Sequence, residues 1–444
     1  MLTPRADGGL HVQVGVEMNR IAVAAAKRAA RAPSIETNRR GVRGRRLFGV
    51  GLLAIALLGA NSGEIDPTFG GDGWVFTLSK PYDRAGAMAV QPDGKIIVAT
   101  TSGGFIASRR YLSSGLLDTT FGNDGVRTVP AGYAPAVVQD LALQPDGKIV
   151  LGGQIARKAM VARLMPDGSL DTSFGNGDGL ATIVPAVHGT SLATVRILLF
   201  PDGGILAEVN RSGSFRSRSF LTRFSPVGST DPGFASAGRL PVGKGVPAIS
   251  LGEAGILMAR SDPASTHRVA VTRFSMNGRV DEGFGAGGTV SVSLGPDAYD
   301  ASATAIATDD LGRIVVAASG YGSCSFDSTT VVRIMPDGRR DPDFAASSSC
   351  FHAVSLFPSA DGSVIAVGSV FAGGGSGEYH VWLSKLRPDG LPDTAFGDEG
   401  RVIAAPEVDY WLLAQGADLQ PDGKVVVLAR ASYQPAFLLA RFDV

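Results

Sequence analysis

From Asp140 to Gly179 the chain reads DLALQPDGKIVLGGQIARKAMVARLMPDGSLDTSFGNGDG, short apolar runs broken by tight turns. Leu141 and Leu143, Ile149 and Leu151, and Met160, Val161 and Leu164 fall in runs of about four to seven residues. Such runs are too short for amphipathic helices and are rich in strand formers. They are joined by Pro145-Asp146-Gly147 and Pro166-Asp167-Gly168. Proline presets φ, aspartate bonds its own downstream backbone and glycine accepts φ > 0, so each tripeptide predicts a reversal between antiparallel strands. After the second turn come LDTSFG, a glycine-rich step and a fourth run, LATIV. One unit is a four-stranded meander.

The unit recurs. Its Asp-x-x-Phe step appears as Asp66/Phe69, Asp118/Phe121, Asp171/Phe174, Asp231/Phe234, Asp281/Phe284, Asp341/Phe344 and Asp393/Phe396. Eight residues upstream of six of these aspartates stands a base: Arg110, Arg163, Arg223, Arg273, Arg333 or Lys385. That register holds while repeat length varies, so insertions fall elsewhere. The first hairpin turn also recurs, ending at Gly94, Gly147, Gly203, Gly255, Gly312, Gly362 and Gly423; the middle copies lose proline or aspartate but keep glycine. Seven such units predict an all-β, seven-bladed β-propeller of four-stranded antiparallel blades. The first repeat starts at Ile65 with an orphan fourth strand, WVFTL, and the last stops at Phe442 after a third. Pairing the two ends closes the ring and removes two open edges.

LDTTFGNDG at Leu117 to Gly125, QPDGKIVLGG at Gln144 to Gly153 and ARLMPDGSLDTSFG at Ala162 to Gly175 resemble the bacterial delta-60 repeat, a family of β-propeller proteins. The likeness runs from about Ile65 to the C-terminus, strongest in repeats one, two and seven. It implies an exported propeller and supplies no catalytic residues.

Residues 1–62 differ from the rest. They hold ten Lys+Arg against three Asp+Glu; the whole chain has 41 of each, so the remainder carries 31 basic and 38 acidic residues. The propeller, residues 63–444, therefore does not present a basic nucleic-acid surface. Arg43, Arg45 and Arg46 precede a 14-residue apolar run, Leu47 to Ala60, and then Asn61-Ser62-Gly63. This order is that of a secretory signal peptide cleaved near Ser62 or after Ala60. Fourteen residues are short for a membrane span, although an uncleaved anchor is the alternative, and Arg45-Arg46 loosely echoes a twin-arginine signal. The lead before the arginines is long, consistent with an over-extended start. The expectation is an exported, monomeric chain with no membrane span after cleavage.

Candidate chemistry is sparse. Cys324 and Cys350, the only cysteines, fall in connections on one face, where a disulfide would patch a blade whose fourth strand is short; two free thiols are the alternative. Groups present in every blade serve the blade, so the Asp-x-x-Phe aspartates are read as turn caps or partners of the upstream base. The glycine-acid steps at Gly70 to Gly73, Asn123 to Gly125, Asn176 to Gly179 and Asp398 to Gly400 lack the spaced ligands of a calcium loop and are read as turns. Unrepeated aromatics and histidines cluster in the fourth-to-first connections: Tyr82, Tyr133, His188, Tyr299, His352 and Tyr410. Such a rim could stack a sugar or grip a peptide, or simply pack between blades. No phosphate loop, zinc-spaced pair or nucleophile elbow occurs, and no cofactor is implied. Two functions stay open. One is a non-enzymatic module binding a protein, peptide or glycan. The other is a polysaccharide lyase or hydrolase using His188, His267, His352 or His380 beside carboxylates.

Overall fold

Each blade begins as a meander of adjacent antiparallel strands, and seven such four-stranded sheets account for every strand among the described residues. The computed structural model describes residues 63–78, 84–129, 136–185, 190–212, 218–243, 248–295, 299–321, 327–372, 378–406, 411–431 and 436–444; residues 1–62 lie outside them. Blades 1 to 6 span 84–129, 136–183, 191–243, 248–293, 299–349 and 352–404. Blade 7 combines 412–442 with the strand Trp74–Leu78, which pairs antiparallel with Ala436–Phe442, Trp74 opposite Ala440 and Leu78 opposite Ala436. The sequence-predicted closure is thus present, reinforced by an Ile65 to Phe442 bridge. The fourth strand of blade 5, Ser347–Ser349, is three residues long, as its short connection implies.

Strand position within the blade explains the burial. Second strands are enclosed by neighbouring blades on both faces, so Ile96–Ser102 and Ile149–Ile155 are buried at consecutive positions and open on the apolar runs IIVA and IVL. First strands alternate, as in Ala136–Leu143, while fourth strands are more exposed, from Leu180–Ile183 with two buried residues to Arg401–Ala404 with none. The hydrophobic core is therefore divided among the seams: Ile97, Ile106 and Phe121 of blade 1 pack with Ile149, Leu151 and Met160 of blade 2. Burying aromatic and branched side chains of this size stabilises each seam by about 1.5–3 kcal/mol per residue.

One device recurs across the seams. Arg163, on the third strand of blade 2, donates through Nε to Asp171 at 2.7 Å, lies 4.5 Å above the Phe174 ring and donates through Nη1 to Pro226 O of blade 3. Arg110, Arg273 and Arg333 repeat this with their own aspartates at 2.6–2.8 Å. They likewise reach the next blade at Pro166 O, Pro336 O and Gly362 O. The missing seventh base is Arg441 of the last strand, 2.6 Å from Asp66 and 2.6 Å from Ser113 O of blade 1. Each aspartate also caps its own turn, as Ser173 N–H donates to Asp171 Oδ1 at 3.0 Å. Gly168 shows why the following turn keeps its glycine: φ is +85°, and a Cβ there would stand 2.6 Å from the Phe121 ring of the preceding blade. Two copies are degraded. Arg223 turns to Asp202, leaving Asp231 at 3.9 Å, and Lys385 keeps only a 5.9 Å approach to Phe396.

The electrostatics divide in sign. Burial alone would raise the Asp171 carboxyl, but the Ser173 hydroxyl and N–H and the Arg163 guanidinium outweigh it, so its pKa is lowered. Its stabilising contribution is present above the ordinary carboxylate range and is lost as pH falls. Glu208 behaves oppositely. It lies opposite Arg196 in blade 3, is 0% exposed, and neither carboxylate oxygen has a hydrogen-bond partner. Burial pushes its pKa up from 4.5 to about 8; Arg196 opposes this and Asp140 adds to it. Asp140 itself is pushed up to about 6 by burial, against hydrogen bonds from Ile197 and Leu141 N–H.

Two outcomes follow for stability. Arg163 and Asp171 are both nearly enclosed, so removing either leaves an unpaired charge. Asp171→Ala and Arg163→Met should each cost about 3 kcal/mol, and the double variant should be much less than additive in denaturant melts. Strictly additive costs would show that the pair does not interact. Because the folded Glu208 stays protonated while the unfolded one ionises above 4.5, its stabilising term is full below 4.5 and is lost as pH rises to about 8. Glu208→Gln should therefore melt like the parent at pH 5 and a few degrees higher at pH 8. An equal difference at both pH values would contradict the burial of a neutral acid.

Candidate functional site

The meander sends its first-to-second turns and third-to-fourth steps to one face of the ring, where the repeated motifs stand. Second-to-third and fourth-to-first connections emerge on the other, unrepeated face. Of the sequence-predicted rim, Tyr82, Tyr133, His188 and Tyr410 lie outside the described residues, as does Cys324. Tyr299 and His352 are described. Both open the first strand of their blade, Tyr299–Thr308 in blade 5 and His352–Pro358 in blade 6.

Tyr299 is 57% exposed and meets the His267 ring edge-on, centroids 4.7 Å apart at 63°. His267 belongs to the second-to-third connection of blade 4. Leu294 N–H bonds His267 O at 3.1 Å within blade 4, and Ala301 N–H bonds Thr266 O at 2.9 Å, holding that connection across the seam to blade 5. His352 is half-buried and follows Phe351, which stacks on Trp382 at 5.3 Å within the core. Cys350 is disulfide-bonded.

A denser aromatic group stands at the seam of blades 6 and 7. Phe371 and Tyr379 are cross-strand partners in blade 6, with ring centroids 5.3 Å apart at 68°. Tyr379 in turn stands 6.2 Å from Trp411, at the entry to blade 7. All three rings are half-buried, leaving part of each on the surface. His380 Nε2 lies 3.5 Å from Glu378 Oε2; these residues flank Tyr379 in the strand and alternate to its other face. Trp411 is visible in the sequence beside Tyr410. Phe371 and Tyr379 escape notice because they flank a glycine-rich connection, and only the strand register brings them together.

For chemistry the face offers less. No group of three or more His, Cys, Asp or Glu side chains close enough to hold a metal ion occurs among the described residues. The described cavities of about 400–470 Å3 lie elsewhere, and no histidine lines them. The glycine-acid steps act as turns: Asp72 Oδ1 accepts from Trp74 N–H at 3.1 Å and Asp178 Oδ1 from Leu180 N–H at 3.0 Å.

Comparison with known proteins agrees with the architecture. A family described as a domain of unknown function (DUF5122), beta-propeller, matches residues 91–121 and 144–174. No curated protein matches the chain. Among solved structures it is similar to the polysaccharide lyase Uly1, with 11% identity, a TM-score of 0.43 and coverage of 81% of this chain and 90% of that one. It is similar to YCF48 bound to D1 peptide, with 8% identity, a TM-score of 0.46 and coverage of 84% and 97%. Prolyl oligopeptidase B from Galerina marginata has 14% identity and a TM-score of 0.45, over 82% of this chain and 49% of that one. The protein is a seven-bladed β-propeller, two of whose repeats match the DUF5122 beta-propeller description.

Proposed function

We propose that this protein is an exported, non-enzymatic binding propeller that engages a peptide, protein or glycan on its unrepeated face. The half-buried Phe371, Tyr379 and Trp411 group carries the reading. Aromatic rings at a seam offer flat apolar area at little conformational cost, suited to a sugar ring or an apolar side chain. The Tyr299 and His267 pair extends the same face at the seam of blades 4 and 5. Among the described residues His380 meets one carboxylate here, that of Glu378, whereas the catalytic alternative calls for two acids beside one histidine.

Tryptophan fluorescence reads this site directly. Of the three tryptophans, Trp74 and Trp382 are buried, whereas Trp411 is half-exposed. Titration with neutral oligosaccharides and with apolar peptides should give a saturable change for one class. Trp411→Ala should weaken binding at least about tenfold while leaving the melt near the parent's. No saturable ligand in either class would remove the proposal. Polysaccharide cleavage lost in His380→Ala would replace binding by catalysis.

Export is part of the same proposal. It is supported by the arginine flank and apolar run before Gly63, and by a disulfide at Cys350, which suits an oxidising compartment. Protein recovered from outside the cytoplasm should begin near Gly63 and carry a Cys324–Cys350 bond in non-reducing peptide mass spectra. Intact Met1 in the membrane fraction would favour an uncleaved anchor instead.

A further inference from the structure

The residue three positions before each hairpin glycine stands where a blade's first strand meets the next blade. The seven are Gln91, Gln144, Phe200, Gly252, Asp309, Ser359 and Gln420. In blades 2, 3 and 7 this residue fills or crosses the seam. Gln420 Nε2 donates to Gly94 O of blade 1 at 2.7 Å, and Gln144 Nε2 to Gly203 O of blade 3 at 3.5 Å. Phe200 is buried in the seam of blades 3 and 4, with the Arg223 guanidinium 4.4 Å above it. Blade 4 has glycine here, and its seam with blade 5 holds a cavity of about 400 Å3.

The cavity has an apolar interior and an acidic rim. The buried Leu257 and Ile314 line the interior; Glu253, Asp310, Pro336 and the 64% exposed Leu311 stand at the mouth. The other charges are already paired. Arg273 is held by Asp281 at 2.7 Å and by Pro336 O, and Asp309 is held by Arg313 at 2.6 Å. Glu253 and Asp310 make no ion pair among the described residues, so the mouth carries two uncompensated carboxylates. Gly252 is not held in a left-handed conformation, and a Cβ there would meet Thr308 Cγ2 at 3.4 Å, an ordinary contact. The space is thus open because a side chain is missing, not because the backbone forbids one.

We propose that this seam cavity, on the face opposite the aromatic group, binds small organic ammonium ions: an aryl or alkyl body between Leu257 and Ile314, and the cation between Glu253 and Asp310. Its volume lies within the range of small-molecule pockets, about 300–1,000 Å3. Two exposed carboxylates add modest attraction that falls with salt.

The test uses the full chain, methyl-labelled, titrated with 2-phenylethylammonium and, in parallel, with the anion 3-phenylpropionate. The ammonium ion should shift the Leu257 and Ile314 methyl resonances saturably, and the anion should not. Glu253→Gln with Asp310→Asn, both at exposed positions, should weaken ammonium binding about tenfold. Gly252→Gln restores the side chain found in blades 1, 2 and 7; it should abolish the shifts while keeping the melt at or above the parent's. Equal response to both ions, no saturable shift, or unchanged binding in the charge variant would overturn the proposal. So would persistence of binding in a folded Gly252→Gln.

Discussion

The guanidinium at the end of the third strand is the constraint on which the ring depends. Arg163 is held on three sides at once, by the Asp171 carboxylate, the Phe174 ring face and the Pro226 carbonyl of the next blade. A planar fork with five fixed donors can satisfy those three directions; an ammonium cannot. Lys385 shows the difference, since it keeps its place in the register but makes only a loose approach to its ring. Burying an ion pair is not in itself a strong source of stability. What the arrangement supplies is position: the same bond that caps a turn also fixes the rotation of one blade on the next.

Closure uses the same bond rather than a special one. Arg441 and Asp66 belong to opposite ends of the propeller, yet they pair as Arg163 and Asp171 do, here through Nη2 at 2.6 Å in place of Nε, and Arg441 goes on to blade 1 through Ser113 O. Lys424 adds a second cation to Asp66 at 2.6 Å and bonds Asp443 at 2.8 Å. Two cations thus converge on Asp66 where the two ends of the propeller meet. The strand pairing of Trp74–Leu78 hides an edge, and the Arg441 clamp fixes its register.

How far the sequence could be read follows from this logic. Seven units, four strands each, the closing strand and the short fourth strand of blade 5 all leave local marks, because turns and short apolar runs are local signals. The base eight residues before each aspartate was equally legible, but its Arg441 copy was not, since no spacing connects residue 441 to residue 66. The Phe371, Tyr379 and Trp411 group was hidden for a related reason: its members meet only through strand register across a connection and a seam. Glu208 sits in the run ILAEVN like any polar residue alternating outward. Its enclosure comes from blade 4, and no pattern within blade 3 announces it.

Function in such a ring must therefore be sought in departures from the repeat. Where Gln420 or Phe200 holds the hairpin position, its side chain occupies the seam at that height. The unrepeated face departs by insertion, adding rings at connections that the clamp does not constrain. The Gly252 position departs by deletion, on the face where the clamp stands, and opens a cavity without loosening the neighbouring Arg273 and Asp281 bond. A chain built this way can vary one seam at a time, because the guanidinium clamps of the neighbouring blades hold independently of it. The same independence explains how blade 3 survives with Arg223 turned to Asp202: Phe200 and Phe234 still fill that seam, and the blades on either side keep their own clamps.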